Sequence, residues 1–188
     1  MRKIIVGMFM SLDGVVQGPG YGDEFEYKGW TMPFFTPEIG QHIGSQTAAS
    51  DTLLLGRTTY DTFERTFAGQ TEGPALGLNN IKKVVVSTTM KSPNWNNSIL
   101  INANVTEEVA KLKQQDGKNI SITGSTTLVQ SLMPHNLIDE YSLLVYPVVL
   151  GLGQRLFPDG VKFDLNLIEA KPFSNGVVLM RYQPAATS

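Results

Sequence analysis

Twice in this chain a short apolar run passes through a glycine straight into a helix-like segment: DTLLLGRTTYDTF at residues 51–63 and ISITGSTTLVQSL at residues 120–132. A run of branched apolar residues with little alternation marks a strand covered on both faces. Such strands belong to parallel sheets, whose crossovers are helices. The remaining runs fit the same plan. Strands are expected over residues 3–10, 51–55, 82–87, 98–101, 119–123 and 138–147, and a terminal antiparallel hairpin over 163–171 and 176–183 turns at Ser174-Asn175-Gly176. Helices are expected from the cap Thr36-Pro37-Glu38 to about residue 49, over 58–67, from the cap Thr106 to about 115, and over 125–133. The glycine-rich stretches 14–35 and 68–80 read as loops. The order β-α-β-α-β-β-α-β-α-β-β-β predicts an α/β fold, a mainly parallel central sheet with antiparallel strands at its C-terminal end. With 188 residues and no linker, one domain over 1–188 is expected.

Composition excludes several chemistries. There are no cysteines, so disulfides, thiolate nucleophiles and cysteine-held metals are out. The two histidines, His42 and His135, lie far apart in sequence, and no metal is expected. Net charge is −2 without any basic run, which argues against nucleic acid. The apolar N-terminal run is closed by Asp13-Gly14, too early for a membrane span, and the protein is expected in the cytoplasm.

The candidate chemistry lies where strands end. In open α/β sheets ligands bind beyond the carboxyl ends of strands, and helix N-termini offer free N–H groups to anions. Gly56, Arg57, Thr58 and Thr59 form one such corner, with a guanidinium fork that suits phosphate. The plainer reading is a capping Thr58 and a solvated arginine. Gly124, Ser125, Thr126 and Thr127 form the second corner, able to rest a pyrophosphate on its turn or simply to cap a helix. Asp13, directly after the first strand, is either a proton-relaying carboxylate or an ordinary turn aspartate. The aromatics Phe25, Tyr27, Trp30, Phe34 and Phe35 form an apolar lid, a satellite core under the loop, or a dimer surface; Trp30 is expected to face the ligand.

Taken in order, MSLDG, LLLGRTTYDTF, KKVVVS, ITGSTTLVQSL, LIDEYSLLVYPVVLGLGQRLF and the closing hairpin resemble the RibD C-terminal-domain family. This family is related to dihydrofolate reductase and to the reductase domain of bacterial riboflavin biosynthesis. The resemblance covers about residues 3–183. It implies a dihydrofolate reductase-like three-layer fold that binds NADPH. Arg57 and Thr58 would then hold the 2′-phosphate region, Ser87 and Thr88 would wall the adenine or ribose, and Gly124 to Thr127 would cradle the pyrophosphate. Asp13 would lie beside nicotinamide and substrate. Two departures stand out. The SLDG segment continues GVVQGPG, without the basic residue of the riboflavin-pathway reductases, which weakens a ribose-phosphate substrate. Glu38 is the acid nearest the start of the first helix, and it reads as a helix-dipole partner instead of a pterin ligand.

The leading expectation is an NADPH-dependent reductase of a small heterocyclic or carbonyl-bearing substrate, with Asp13 polarising or protonating the substrate and Trp30 on the lid. The rivals are a non-catalytic nucleotide-binding or regulatory module and an interaction protein using the aromatic loop. A homodimer is expected, with residues 139–151 or that loop as interface.

Overall fold

Every apolar run named above forms a strand. In the computed structural model, which describes residues 1–22 and 24–186, the chain runs β1 (Ile4–Ser11), α1 (Pro37–Ala48), β2 (Ser50–Gly56), α2 (Arg57–Phe67), α3 (Pro74–Asn80), β3 (Lys82–Val86), β4 (Ser98–Ile101), α4 (Val105–Gln114), β5 (Asn119–Ile122), α5 (Thr126–Leu132), β6 (Glu140–Tyr146), β7 (Leu165–Pro172) and β8 (Val178–Pro184). All eight strands share one sheet in the order β4-β3-β2-β5-β1-β6-β8-β7. The first six pair in parallel, and β8 joins β6 and β7 antiparallel.

From β1 through β4 the chain steps toward one edge of the sheet, and from β5 to β6 it steps back. Crossovers between parallel strands are right-handed, so this reversal puts α1, α2 and α3 on one face and α4 and α5 on the other. The packing agrees. Val109 and Leu112 of α4 and Leu128, Val129 and Leu132 of α5 join Ile4, Val6, Leu54, Val84, Ile120 and Ile122 in one continuous core. On the opposite face the core is split. Ile39 and Ile43 of α1 pack with Phe9, Leu144 and Tyr146, while Tyr60 of α2 packs with Leu53, Leu55, Val85 and Trp95. Between these clusters the sheet offers Gly7 of β1 and, by strand alternation, Ser121 of β5. Neither has an apolar side chain for a helix to close on, and the sheet stays open there.

Three local expectations are corrected. Residues 74–80, read as loop, form α3; Gly73, at φ +57°, gives the helix no side-chain cap, and its start signal was Pro74. Lys83, fully buried, gives its ammonium protons to the carbonyls of Leu78 (2.6 Å), Asn79 (3.3 Å) and Ile81 (2.8 Å), closing that helix's C-terminal end. Burial pulls this ammonium down to about 8, and it stays charged at neutral pH. Thr106 is not the cap of α4: Asn104, in the left-handed region, precedes the helix, and Glu107 and Glu108 occupy its first turn. Strand β6 lies between β1 and β8 with almost every residue buried, so within the 139–151 segment the part open to a partner copy is the turn after β6, where Val149 is exposed. No helix among the described residues is long and apolar enough to cross a membrane.

Candidate functional site

β2 and β5 are neighbours in the sheet, yet the helices they feed lie on opposite faces. A crevice therefore opens at their carboxyl ends, the switch point at which open α/β sheets take ligands. Gly56 ends β2 and caps α2; Gly124 follows β5 at φ +144°. A Cβ on Gly56 would lie 2.8 Å from the Cβ of Ser125, and one on Gly124 would lie 2.5 Å from Thr59 Oγ1. Side chains at these positions would hold the two helix starts apart. Glycine lets the first turns of α2 and α5 meet, with the hydroxyls of Thr58, Thr59, Ser125, Thr126 and Thr127 around one corner.

Ser125 does cap α5, its hydroxyl accepting from the Leu128 amide at 3.4 Å. Thr58 caps nothing; it sits exposed in the first turn, one residue inside the helix. Arg57 is half-exposed but held, its Nε donating to Asp61 at 3.0 Å and a terminal nitrogen to Thr89 Oγ1 at 3.3 Å. It thus ties α2 to the turn after β3. In that turn the Ser87 hydroxyl accepts from the amides of Thr89 (3.3 Å) and Met90 (3.1 Å), leaving Thr88 exposed beside it.

All ten of these expected binding residues (Gly56, Arg57, Thr58, Thr59, Ser87, Thr88, Gly124, Ser125, Thr126 and Thr127) line one cavity of about 1680 Å³. Pockets for a single small ligand run to roughly 1,000 Å³, and this cavity exceeds that volume. Beyond the two glycine corners the cavity continues under α1. There it is bounded by Gly7 and Phe9 of β1, Ser142 and Leu144 of β6, Ile43, Gln46 and Thr47 of α1, and the loop from Gln17 to Gly20.

The pattern of the RibD C-terminal domain matches residues 2–179. The chain belongs to the RibD C-terminal domain family. The uncharacterized protein YyaP of Bacillus subtilis (strain 168) is 32% identical over 188 residues, 96% of this chain and 94% of that protein. Among solved structures, a pyrimidine reductase-like protein of Corynebacterium diphtheriae NCTC is similar at TM-score 0.71 and 14% identity, over 99% of this chain and 93% of that one. Dihydrofolate reductase from Enterococcus faecalis, complexed with NADP(H) and RAB-propyl, is similar at TM-score 0.65 and 14% identity, over 97% and 96%. The architecture of this RibD C-terminal domain is thus dihydrofolate reductase-like α/β.

Two expectations for the domain are corrected by its geometry. Asp13 does not line the cavity. Its carboxylate accepts from the Ser11 hydroxyl (2.7 Å) and the amides of Leu150 (3.1 Å) and Gly151 (2.8 Å), pinning the turn after β6. The Ser11 hydroxyl, together with those two amides, holds its carboxyl down at about 2. A carboxylate so placed is ionised at neutral pH and has no proton to give. Trp30 does not face the cavity either. Its indole N–H donates to the Gln17 carbonyl at 2.8 Å, and its ring packs edge-on against Tyr146 at 5.3 Å. Phe25 and Trp30 are buried in the satellite core; of the loop aromatics, Phe35 reaches the cavity wall. Glu38 pairs with Lys171 at 3.0 Å, as a surface acid.

Sequence reading missed Gln46 and Ser142. The signal was present: along α1, Ile39 and Ile43 define the inward stripe, and its next positions are Gln46 and Thr47. A polar residue on an inward stripe faces either a partner or a ligand. Ser142 is likewise a small polar residue within the largely buried run 141–146 of β6.

Proposed function

We propose that this RibD C-terminal domain protein is an NADPH-dependent reductase acting on a small heterocyclic or carbonyl-bearing substrate. The observation that carries the reading is the meeting of two helix starts and Arg57 on the wall of one cavity of about 1680 Å³. Arg57, with Thr58 and Thr59, would hold the 2′-phosphate region. Ser87 and Thr88 would wall the adenosine. Gly124, Ser125, Thr126 and Thr127 would take the pyrophosphate on free amides and hydroxyls, needing no lysine. The chemistry such a cofactor supplies is a hydride, two electrons and one proton, passed to an electrophilic carbon while a solvent proton balances the neighbouring atom. The chain's own task is to hold the two rings in contact and keep bulk water out. The engagement of Asp13 with the 150–151 turn favours one second reading, a nucleotide-binding module without turnover.

Calorimetric titration with NADPH and NADH tests the cofactor, and nucleotide oxidation over a panel of carbonyl compounds tests turnover. NADPH preference with turnover supports the reductase. NADPH binding without turnover on any compound supports the module, and no binding of either nucleotide removes both readings.

A further inference from the structure

The far end of the cavity differs in chemistry from the corner just described. Gly7 and Ser142 are register partners on adjacent strands, side by side on the face below α1. Gln46 comes down over them: its Nε2 donates to Ser142 Oγ, and a Cβ on Gly7 would lie 3.2 Å from its Oε1. A glycine at the centre of a buried strand weakens that strand, and here its absent side chain is the space the amide occupies. Ser142 is almost fully buried. Around the pair stand Phe9, Ile43 and Leu144. Among the described residues of the cavity wall, the charged or titratable ones are Arg57, Asp51 and His135, none of them on α1, β1 or β6. Asp51 is engaged by Arg2 and by the Lys118 amide at 2.8 Å.

On the reading that the cofactor lies at the Arg57 corner, we propose that this end selects an uncharged, flat ring, with Gln46 and Ser142 as the residues that read its polar edge. A carboxamide bonded once to a hydroxyl keeps a second N–H and an acceptor lone pair. It therefore complements an edge bearing both a carbonyl and an N–H, such as a lactam. A phosphate or carboxylate placed there would lose its water among apolar side chains with no cation to meet it, a cost no neutral ligand bears. This keeps an anionic group itself away from the α1 end while leaving Arg57 to the cofactor's phosphate.

Isatin, a neutral planar lactam with an electrophilic ketone carbon, and isatin sulfonate, the same ring with an anion, form a matched pair of probes. Calorimetry with the NADP⁺-loaded protein is expected to show isatin binding at least about tenfold tighter than the sulfonate. Gln46→Leu and Ser142→Ala are each expected to weaken isatin about fivefold or more while NADPH affinity stays within about twofold. Equal or tighter binding of the sulfonate, no binding of isatin, or variants that bind isatin unchanged would overturn the proposal. The wild-type comparison stands even where a variant folds poorly. Failure of the cofactor reading shows separately, as absent NADPH binding, and isatin titrated into the nucleotide-free protein then still reads the pocket.

Discussion

At Arg57 the guanidinium spans α2 and the turn after β3 while remaining half-exposed at the mouth of the cavity. Charge-assisted bonds to a phosphate contribute about 1.5–3 kcal/mol, or roughly ten- to a hundredfold in affinity. Arg57→Ala is therefore expected to weaken NADPH by at least about tenfold and NADH by less than about twofold, read by calorimetry. Equal losses for both nucleotides would remove Arg57 from the 2′-phosphate. Asp13 makes the opposite case, a residue at the right sheet edge with a structural task. Its folded-state carboxyl lies at about 2 against the ordinary 3.8, so its stabilising effect is full above about 3.8 and is lost as pH falls toward 2. Asp13→Asn should flatten the dependence of melting temperature on pH across that interval and leave NADPH binding at neutral pH unchanged. A loss of NADPH affinity in Asp13→Asn, with the fold intact by circular dichroism, would return the residue to the site.

At the scale of elements, the site is a product of close approach. The first turns of α2 and α5 meet because residues 56 and 124 carry no Cβ, and Gly124 also holds a φ of +144° that an L side chain rarely adopts. Gly124→Ala must relieve a 2.5 Å contact with Thr59 Oγ1 and a strained backbone together. The expected cost is about 1–3 kcal/mol in urea unfolding, with cofactor affinity falling more steeply because the two turns part. A variant as stable as the parent, with unchanged NADPH binding, would show that the two turns need not touch. α1 shows the converse design. Its inward stripe is apolar for one turn and polar for the next, so the same helix seals the core at Ile39 and opens a pocket at Gln46.

For the whole molecule, reversal of chain direction between β4 and β5 sends helices to both faces and leaves a crevice between β2 and β5. One face then carries an unbroken core and the other a divided one, and the division is the cavity. The sheet also ends in an open edge at β7, where Leu167 and Ile168 are exposed at 57% and 43%. We propose that the expected homodimer forms through this edge, the aromatic loop with Phe35 exposed and the turn at Val149 being the other candidate surfaces. Sedimentation equilibrium should give twice the 20.6 kDa chain mass, falling to one chain in Leu167→Lys. A wild-type monomer would remove the homodimer.

The sequence by itself determined the strands, their order, the helices long enough to show a period, and the two glycine corners. Those features are local: a buried run, a cap and a glycine each act on their own neighbours in the chain. α3 went unread because Gly73 gives it no side-chain cap, whereas the equally short α5 starts at the capping Ser125; the cap of α4 was placed on Thr106 because Asn104, left-handed, makes no side-chain cap bond. Which polar groups are spent and which are free follows from how the elements pack. Asp13 is spent on amides 137 and 138 residues further along the chain, and Trp30 on a core built from β6 and β8. Gln46 and Ser142, 96 residues apart, become a pair once β6 docks beside β1 and α1 crosses above them. Partnership across the sheet is a property of packing, and no spacing along the chain encodes it.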